Sequence, residues 1–242
     1  MSLMCVDNLV ARHGLLEAVR GVSFSVEAGE TLAIVGANGA GKPTLLRAIA
    51  GAHPIAGGTV AFRGEDVTAV PAHRRSAAGL ALVPEGRRLF GQMTVEENLM
   101  LGRFAGRTGS WTVERVMEAF PNLKERRHAK CSHLSGGEQQ ATAIGRALMT
   151  NPDLLILDEV SLGLSPLVVD RVYEQIDGLI REGTTIILVE QNLSRALAVA
   201  NKVICMLEGQ VVLDGAAAAV SRDDVTNAYF GLGRARAHGG TA

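Results

Sequence analysis

Gly36-Ala37-Asn38-Gly39-Ala40-Gly41-Lys42 sets three glycines and a lysine directly behind an apolar run, Leu32 to Val35. The Gly-x4-Gly-Lys spacing suits a loop that wraps a phosphate. Glycines at 36, 39 and 41 let the backbone curl with its N–H groups inward, some at φ > 0. A helix starting near Lys42 would add the partial positive charge of its N-terminus. Lys42 could then reach the β- and γ-phosphates of a nucleotide. Pro43 breaks this pattern. The position after the lysine ordinarily supplies a hydroxyl to Mg2+, and proline has neither a hydroxyl nor an N–H. Proline fits the first turn of a helix, yet it biases Lys42 away from the α region, which would tilt the loop. Thr44 offers a hydroxyl one residue late, about 100° around the helix. The expectation is a nucleotide site with impaired handling of Mg2+.

A second chemical element is Leu154 to Glu159, four apolar residues followed by Asp158-Glu159. Two carboxylates at the end of a buried strand are costly unless they meet a cation or a polarised water. Beside a phosphate loop, Asp158 reads as a Mg2+ partner, direct or through water, and Glu159 as the group that orients or activates an attacking water. A solvated strand end is the simpler alternative. The third element is Leu134-Ser135-Gly136-Gly137-Glu138-Gln139, just before a helical stretch. Ser135 can cap that helix, and the two glycines would let an anion approach the backbone. A plain cap is equally consistent with these residues alone.

The chain that must position these groups has 242 residues, enough for one large domain or a domain with an inserted lobe. A formal net charge of -1 and an aromatic content of 4% argue against a nucleic-acid partner. Cys5, Cys131 and Cys205 follow no metal or disulfide spacing and read as reduced thiols, mostly buried. His53, His73, His128, His133 and His238 show no metal spacing either and read as solvated or capping; the pairs Arg74-Arg75, Arg87-Arg88 and Arg126-Arg127 read as solvated surface, with Arg87-Arg88 alternatively a contact to a partner protein. No apolar run approaches the ~18 residues that would span a bilayer. No basic-then-apolar leader is present, so a cytosolic protein is expected, reaching a membrane only by docking on another protein.

Strands are expected at Leu3–Val10, Val19–Val26, Thr31–Val35, Thr59–Phe62, Leu80–Val83, Leu154–Leu157, Thr184–Val189, Val203–Leu207 and Gln210–Leu213. Helices are expected from Lys42 to near Gly51 and over Pro71–Ala78, Thr94–Leu101, Thr112–Phe120, Gly137–Met149, Pro166–Arg181, Asn192–Ala200 and Asp223–Phe230. Thr94-Val95-Glu96-Glu97 has the form of a capping box. Gly102–Ser110 reads as a flexible loop and the tail from Gly233 as loose. Strands separated by helices imply an α/β fold with a parallel sheet. The helical block would be an insertion, residues 92–150, in a core made of 1–91 and 151–242.

Ser135-Gly136-Gly137-Glu138-Gln139-Gln140 resembles the signature motif of ATP-binding cassette (ABC) ATPases. The order of motifs fits that family along nearly the whole chain: phosphate loop, signature, Asp158-Glu159 strand, then Ser161-Leu162-Gly163-Leu164-Ser165-Pro166. Val83-Pro84-Glu85-Gly86-Arg87-Arg88, Met93-Thr94-Val95-Glu96-Glu97-Asn98-Leu99 and Leu188-Val189-Glu190-Gln191-Asn192 narrow the likeness to the LivF-type ATP-binding subunits of branched-chain amino acid importers. The resemblance implies a P-loop NTPase with a RecA-like core, an antiparallel β subdomain and a helical subdomain. It implies ATP and Mg2+ as ligands, and a head-to-tail dimer with a second ABC ATPase subunit, identical or related. ATP would lie between the phosphate loop (Gly36, Ala37, Asn38, Gly39, Ala40, Gly41, Lys42, Pro43 and Thr44) of one subunit and Ser135, Gly136, Gly137 and Glu138 of the other.

By the same resemblance His13 stands where a tyrosine usually stacks on adenine, Glu85 where a glutamine senses Mg2+ and couples to the membrane subunits, and Gln191 where a histidine contacts the γ-phosphate. Glu159 and Gln191 would be the catalytic pair, with Asp158 and Glu85 toward the metal. Residues around Glu85 to Glu97 and the helical lobe would dock on permease subunits at the inner face of the cell membrane, and an external binding protein would take part indirectly. Val160 stands in place of a proline, a change expected to alter loop stiffness. The implied function is ATP hydrolysis driving uptake of branched-chain or related amino acids. The alternative is a hydrolysis-impaired regulatory subunit, because of Pro43.

Overall fold

The computed structural model describes residues 2–229. In chain order the elements are β1 (Ser2–His13), β2 (Leu16–Glu27), β3 (Thr31–Gly36), α1 (Lys42–Ile49), β4 (Gly57–Phe62) and β5 (Glu65–Asp66). Then come α2 (Ala72–Ala78), β6 (Leu80–Val83), α3 (Val95–Leu101), α4 (Val113–Ala119), α5 (Gly136–Leu148), β7 (Leu154–Asp158) and α6 (Pro166–Arg181). The last are β8 (Thr185–Val189), α7 (Leu193–Val199), β9 (Lys202–Leu207), β10 (Gln210–Ala216) and α8 (Arg222–Tyr229). Phe230, expected to end the last helix, and the tail from Gly233 lie outside the described residues.

Two compact units result. One comprises the residues up to Ala69 with those from Ile187 onward, and the other is Val70–Ile186. These boundaries differ from an insertion of 92–150. The helical block packs with β6 and with α6 inside the second unit, because the buried face of α5 rests on α3, α6 and β6.

In the first unit β1 and β2 form a long antiparallel hairpin, and β4 and β5 extend that sheet in the order β2-β1-β4-β5. Both hairpin strands are longer than their apolar alternation suggests, since they run through exposed polar residues to a turn at 14–15. The other sheet of this unit pairs β3 in parallel with β9 and β9 antiparallel with β10. All six residues of β3 are buried, which explains its unbroken apolar run and absent alternation. Each fully buried Leu or Ile there contributes about 1.5–3 kcal/mol. Helices α7 and α8 close over Ala33, Val35, Val203 and Cys205 through Ala196 and Val225.

In the second unit β6 and β7 run parallel in strict register, Leu80 opposite Leu154 and Val83 opposite Leu157. The Thr94 box is formed: the Thr94 hydroxyl accepts from the Glu97 N–H at 3.2 Å, and Glu97 accepts from the Thr94 N–H at 2.7 Å. The segment 102–110 is not a slack loop. It begins with a 3-10 turn, Gly102–Ala105, and Arg107 pins it by donating to Asn151 O, Ala78 O and Asp153 Oδ2 at 2.9, 2.9 and 3.0 Å.

Arg74, Arg88 and Arg126 are exposed as expected, but two other members of the basic pairs are not simply solvated. Arg75 is 2% exposed and donates to Val70 O at 2.8 Å. Arg127 is paired with Glu96, which holds the Glu96 carboxyl below its ordinary value.

Candidate functional site

The phosphate loop leaves β3 at Gly36 and enters α1 through Gly41, whose φ of 96° is left-handed. A side chain at Gly41 would sit 2.1 Å from Ala18 O, and one at Gly36 would sit 2.3 Å from Met206 O. Close backbone approach from β2 and β9 thus requires both glycines. Lys42 and Pro43 open the helix, so the pre-proline bias does not move Lys42 out of α1. The Lys42 side chain is 2% exposed. Its ammonium donates to Gly36 O at 2.6 Å and to Ala37 O at 3.1 Å, at the loop's own mouth.

Behind it, burial pushes the Cys205 thiol up to about 11, with the Lys42 charge pulling the other way. Asn38 and Gly39 are exposed, and nothing lies within 4 Å of where a Gly39 side chain would stand. The cradle is therefore built from tight backbone on one side and open on the other, as an anion ligand needs.

Pro43 is half-buried at the second helical position. Thr44 Oγ1 lies 3.0 Å from His13 Nε2. The His13 ring centre is 4.6 Å from that of His53, tilted 54°. His53 Nε2 donates to Arg12 O at 3.0 Å, so this histidine caps a carbonyl, one of the roles expected for it. Gln191 is exposed, two residues past the end of β8. Glu190 beside it is 1% exposed, and its N–H donates to Ile34 O at 3.2 Å, tying this end to the strand that feeds the phosphate loop.

The second unit carries the other named residues. Asp158 ends β7 and is 2% exposed. Glu159 follows at φ 47°, a conformation that disfavours a residue with a side chain and concentrates at functional positions. Val160 is buried, so it fills space as well as setting loop stiffness. Glu85 is exposed after β6.

Ser135 caps α5: its hydroxyl accepts from the Glu138 N–H at 3.3 Å, and Glu138 accepts from the Ser135 N–H at 2.7 Å. Glu138 also accepts from Arg126 Nε at 3.0 Å. Burial would raise the Glu138 carboxyl, but Ser135 and Arg126 together outweigh it and hold the carboxyl below its ordinary value. Both oxygens of Glu138 are engaged within the chain. The missing side chains of Gly136 and Gly137 face Leu164 Cδ2 and Val168 Cγ1, at 2.8 and 2.6 Å from ideal Cβ positions. Their smallness therefore serves the seating of α5 against the segment after β7, a reason the local sequence does not carry.

The sequence profile of the ABC transporter family matches residues 19–161. The chain belongs to the ABC transporter family. It is 42% identical over 232 residues to the high-affinity branched-chain amino acid transport ATP-binding protein BraG of Pseudomonas aeruginosa, covering 95% of this chain and 100% of that one. It is 34% identical over 202 residues to the probable branched-chain amino acid transport ATP-binding protein LivF of Archaeoglobus fulgidus, covering 81% and 84%. A crystal structure of an ATP-binding cassette of an ABC transporter in its ADP conformation matches with a TM-score of 0.81 and 27% identity, over 95% of each chain.

The fold is that of a P-loop NTPase cassette, and this ABC protein is an ATPase. No described helix is long and apolar enough to cross a membrane, and no described group of three His, Cys, Asp or Glu could enclose a metal. Three residues inside the quoted motifs had no structural role of their own in the sequence reading: Glu190, Arg87 and Asn98. Asn98 is fully buried and bonds Phe90 N–H and O, Thr94 O and Cys131 Sγ. A carboxylate directly ending an apolar run was the available signal for Glu190; Asn98, behind Glu96-Glu97, had no local signal. Arg87 had none, because its partners lie far along the chain.

Proposed function

We propose that this chain is the ATP-hydrolysing subunit of an importer for branched-chain or closely related amino acids, docked on separate permease subunits at the inner membrane face. The likeness over the full length of the Pseudomonas aeruginosa protein carries this reading. The phosphate loop would take the β- and γ-phosphates, with Lys42 moving its ammonium from the loop carbonyls onto phosphate oxygen. His13 would stack on adenine. Ser135, Gly136, Gly137 and Glu138 of a second subunit would close over the γ-phosphate in a head-to-tail dimer, with the Ser135 hydroxyl and the α5 N-terminus as its donors.

Glu159 would hold the attacking water in line with the γ-phosphate and accept its proton as the P–O bond to the leaving ADP breaks. Gln191 would contact the γ-phosphate, and Glu85 would face the metal and the permease. Mg2+, when bound, would neutralise charge on the phosphates; Asp158 fits as its carboxylate partner, and Pro43 supplies nothing to it. The test is Glu159→Gln. ATP affinity should stay within about twofold, and hydrolysis should fall by about a hundredfold or more. Unchanged hydrolysis overturns the assignment.

A regulatory subunit with weak hydrolysis is the second reading. It is favoured by Pro43 and by the Thr44 hydroxyl being held by His13. Magnesium-dependent turnover of the isolated chain separates the two.

A further inference from the structure

Gly86, Arg87 and Arg88 have φ of 76°, 63° and 48°, three consecutive residues in the left-handed region, two of them with long side chains. Such backbone persists only where its surroundings hold it. Here the holders are identifiable. The Arg88 N–H closes on Gly86 O at 2.6 Å. Arg87 Nη1 donates to Gln139 Oε1 at 2.9 Å. Arg146 Nη2, from the last turn of α5, donates to Arg87 O at 3.1 Å.

Gln139 is clamped from its other end, since its Nε2 donates to Cys131 O and Leu134 O, both at 3.3 Å. Arg87 Nη2 lies 3.4 Å from the point where a Gly136 side chain would begin. The guanidinium therefore covers the first turn of α5, the turn that carries Ser135. Arg88, Phe90 and Arg146 also border a cavity of about 300 Å3, which leaves room beside the turn.

We infer that Arg87 is a positioning residue. It holds the Ser135–Glu138 turn in the geometry that meets ATP, and it passes movement of the Glu85 segment to that turn through Gln139. This rests on the proposed role of Ser135 to Glu138 as the contact to ATP on a second subunit. The chemistry suits a latch. A guanidinium–amide bond is charge-assisted and directional, and it opposes the backbone preference of the turn it restrains. Releasing it would let the left-handed backbone of Gly86 to Arg88 relax.

The test uses the full-length chain and four variants: Arg87→Ala, Arg87→Lys, Gln139→Leu and the double Arg87→Ala/Gln139→Leu. Amide hydrogen exchange over 134–139 reads the latch without any need for activity. Arg87→Ala and Gln139→Leu should each speed exchange there about tenfold or more, with the melting midpoint within a few degrees of the parent. In steady state kcat should fall about tenfold while ATP affinity stays within twofold. Arg87→Lys should recover part of the rate, and the double variant should be no worse than either single. Unchanged exchange, or single defects that multiply in the double, overturns the latch. A general loss of protection or of ATP affinity in both singles also overturns it, because the residues would then be merely structural. If the parent chain itself does not turn over ATP, the hydrolytic reading fails, and the exchange result alone decides the latch.

Discussion

Pro43→Thr should restore a magnesium-dependent gain in ATP affinity that this chain lacks. Pro43 stands at the second position of α1, directly after Lys42. A threonine there would supply a hydroxyl oxygen to the metal and an N–H to a phosphate. Thr44 does not stand in for it, because its Oγ1 is 3.0 Å from His13 Nε2 and on another face of the helix. Each hydrogen bond to a charged partner contributes about 1.5–3 kcal/mol, so one regained interaction amounts to about ten- to a hundredfold in affinity. Removing the proline should cost less than about 1 kcal/mol through unfolded-chain entropy, which leaves the fold intact. Calorimetric titration with ATP, in Mg2+ and in EDTA, reads the effect on both chains. In EDTA the two should differ by less than in Mg2+. Equal Mg2+ gains for the parent and the variant would refute the reasoning, and would mean that Thr44 or water already fills the ligand position.

Gly41→Ala should unfold the chain far more readily than Gly39→Ala, as read by denaturant midpoints. The second variant pays only a left-handed backbone penalty of about 1–2 kcal/mol, whereas the first also drives a methyl against Ala18 O; equal midpoints would contradict this. Glu138 has a depressed carboxyl in the folded chain, so its stabilising contribution is complete above the ordinary value of 4.5 and is lost as pH falls through the lower folded value. Glu138→Gln should flatten the acid limb of stability, measured by unfolding between pH 3 and 6 (roughly the window that contains a carboxylate titration). Cys5 is exposed while Cys131 and Cys205 are buried. Burial raises the Cys131 thiol and pushes Cys205 up to about 11. Alkylation of the native chain at neutral pH should label Cys5 alone, and labelling of Cys205 before unfolding would show that the core behind Lys42 opens.

Most elements were legible because their signals are local. The apolar run before Gly36, the Thr94 box, Pro166 at the start of α6 and the Leu80–Val83 run each encode their element within a few residues. The long hairpin strands were under-read at their polar ends, where pairing across β1 and β2 extends the strands beyond the apolar alternation. The segment 102–110 looked slack because a lone Arg107 carries no local sign that three acceptors converge on it. Arg75 looked solvated because a sequence does not show what covers it.

By itself the sequence determined the chemistry on offer: a phosphate loop with a lysine, an Asp-Glu strand end, a capped signature turn, and a proline where a hydroxyl belongs. These depend on residue type and short spacing, which the chain carries wherever it goes. Tertiary structure alone decided how those groups are held. His13 reaches Thr44 across 31 positions and Arg87 reaches Gln139 across 52. Gly136 and Gly137 are small because Leu164 and Val168 press on them, and Gly41 because the backbone at Ala18 does. Such contacts depend on which distant segments meet and on the water they exclude, and no local pattern records either.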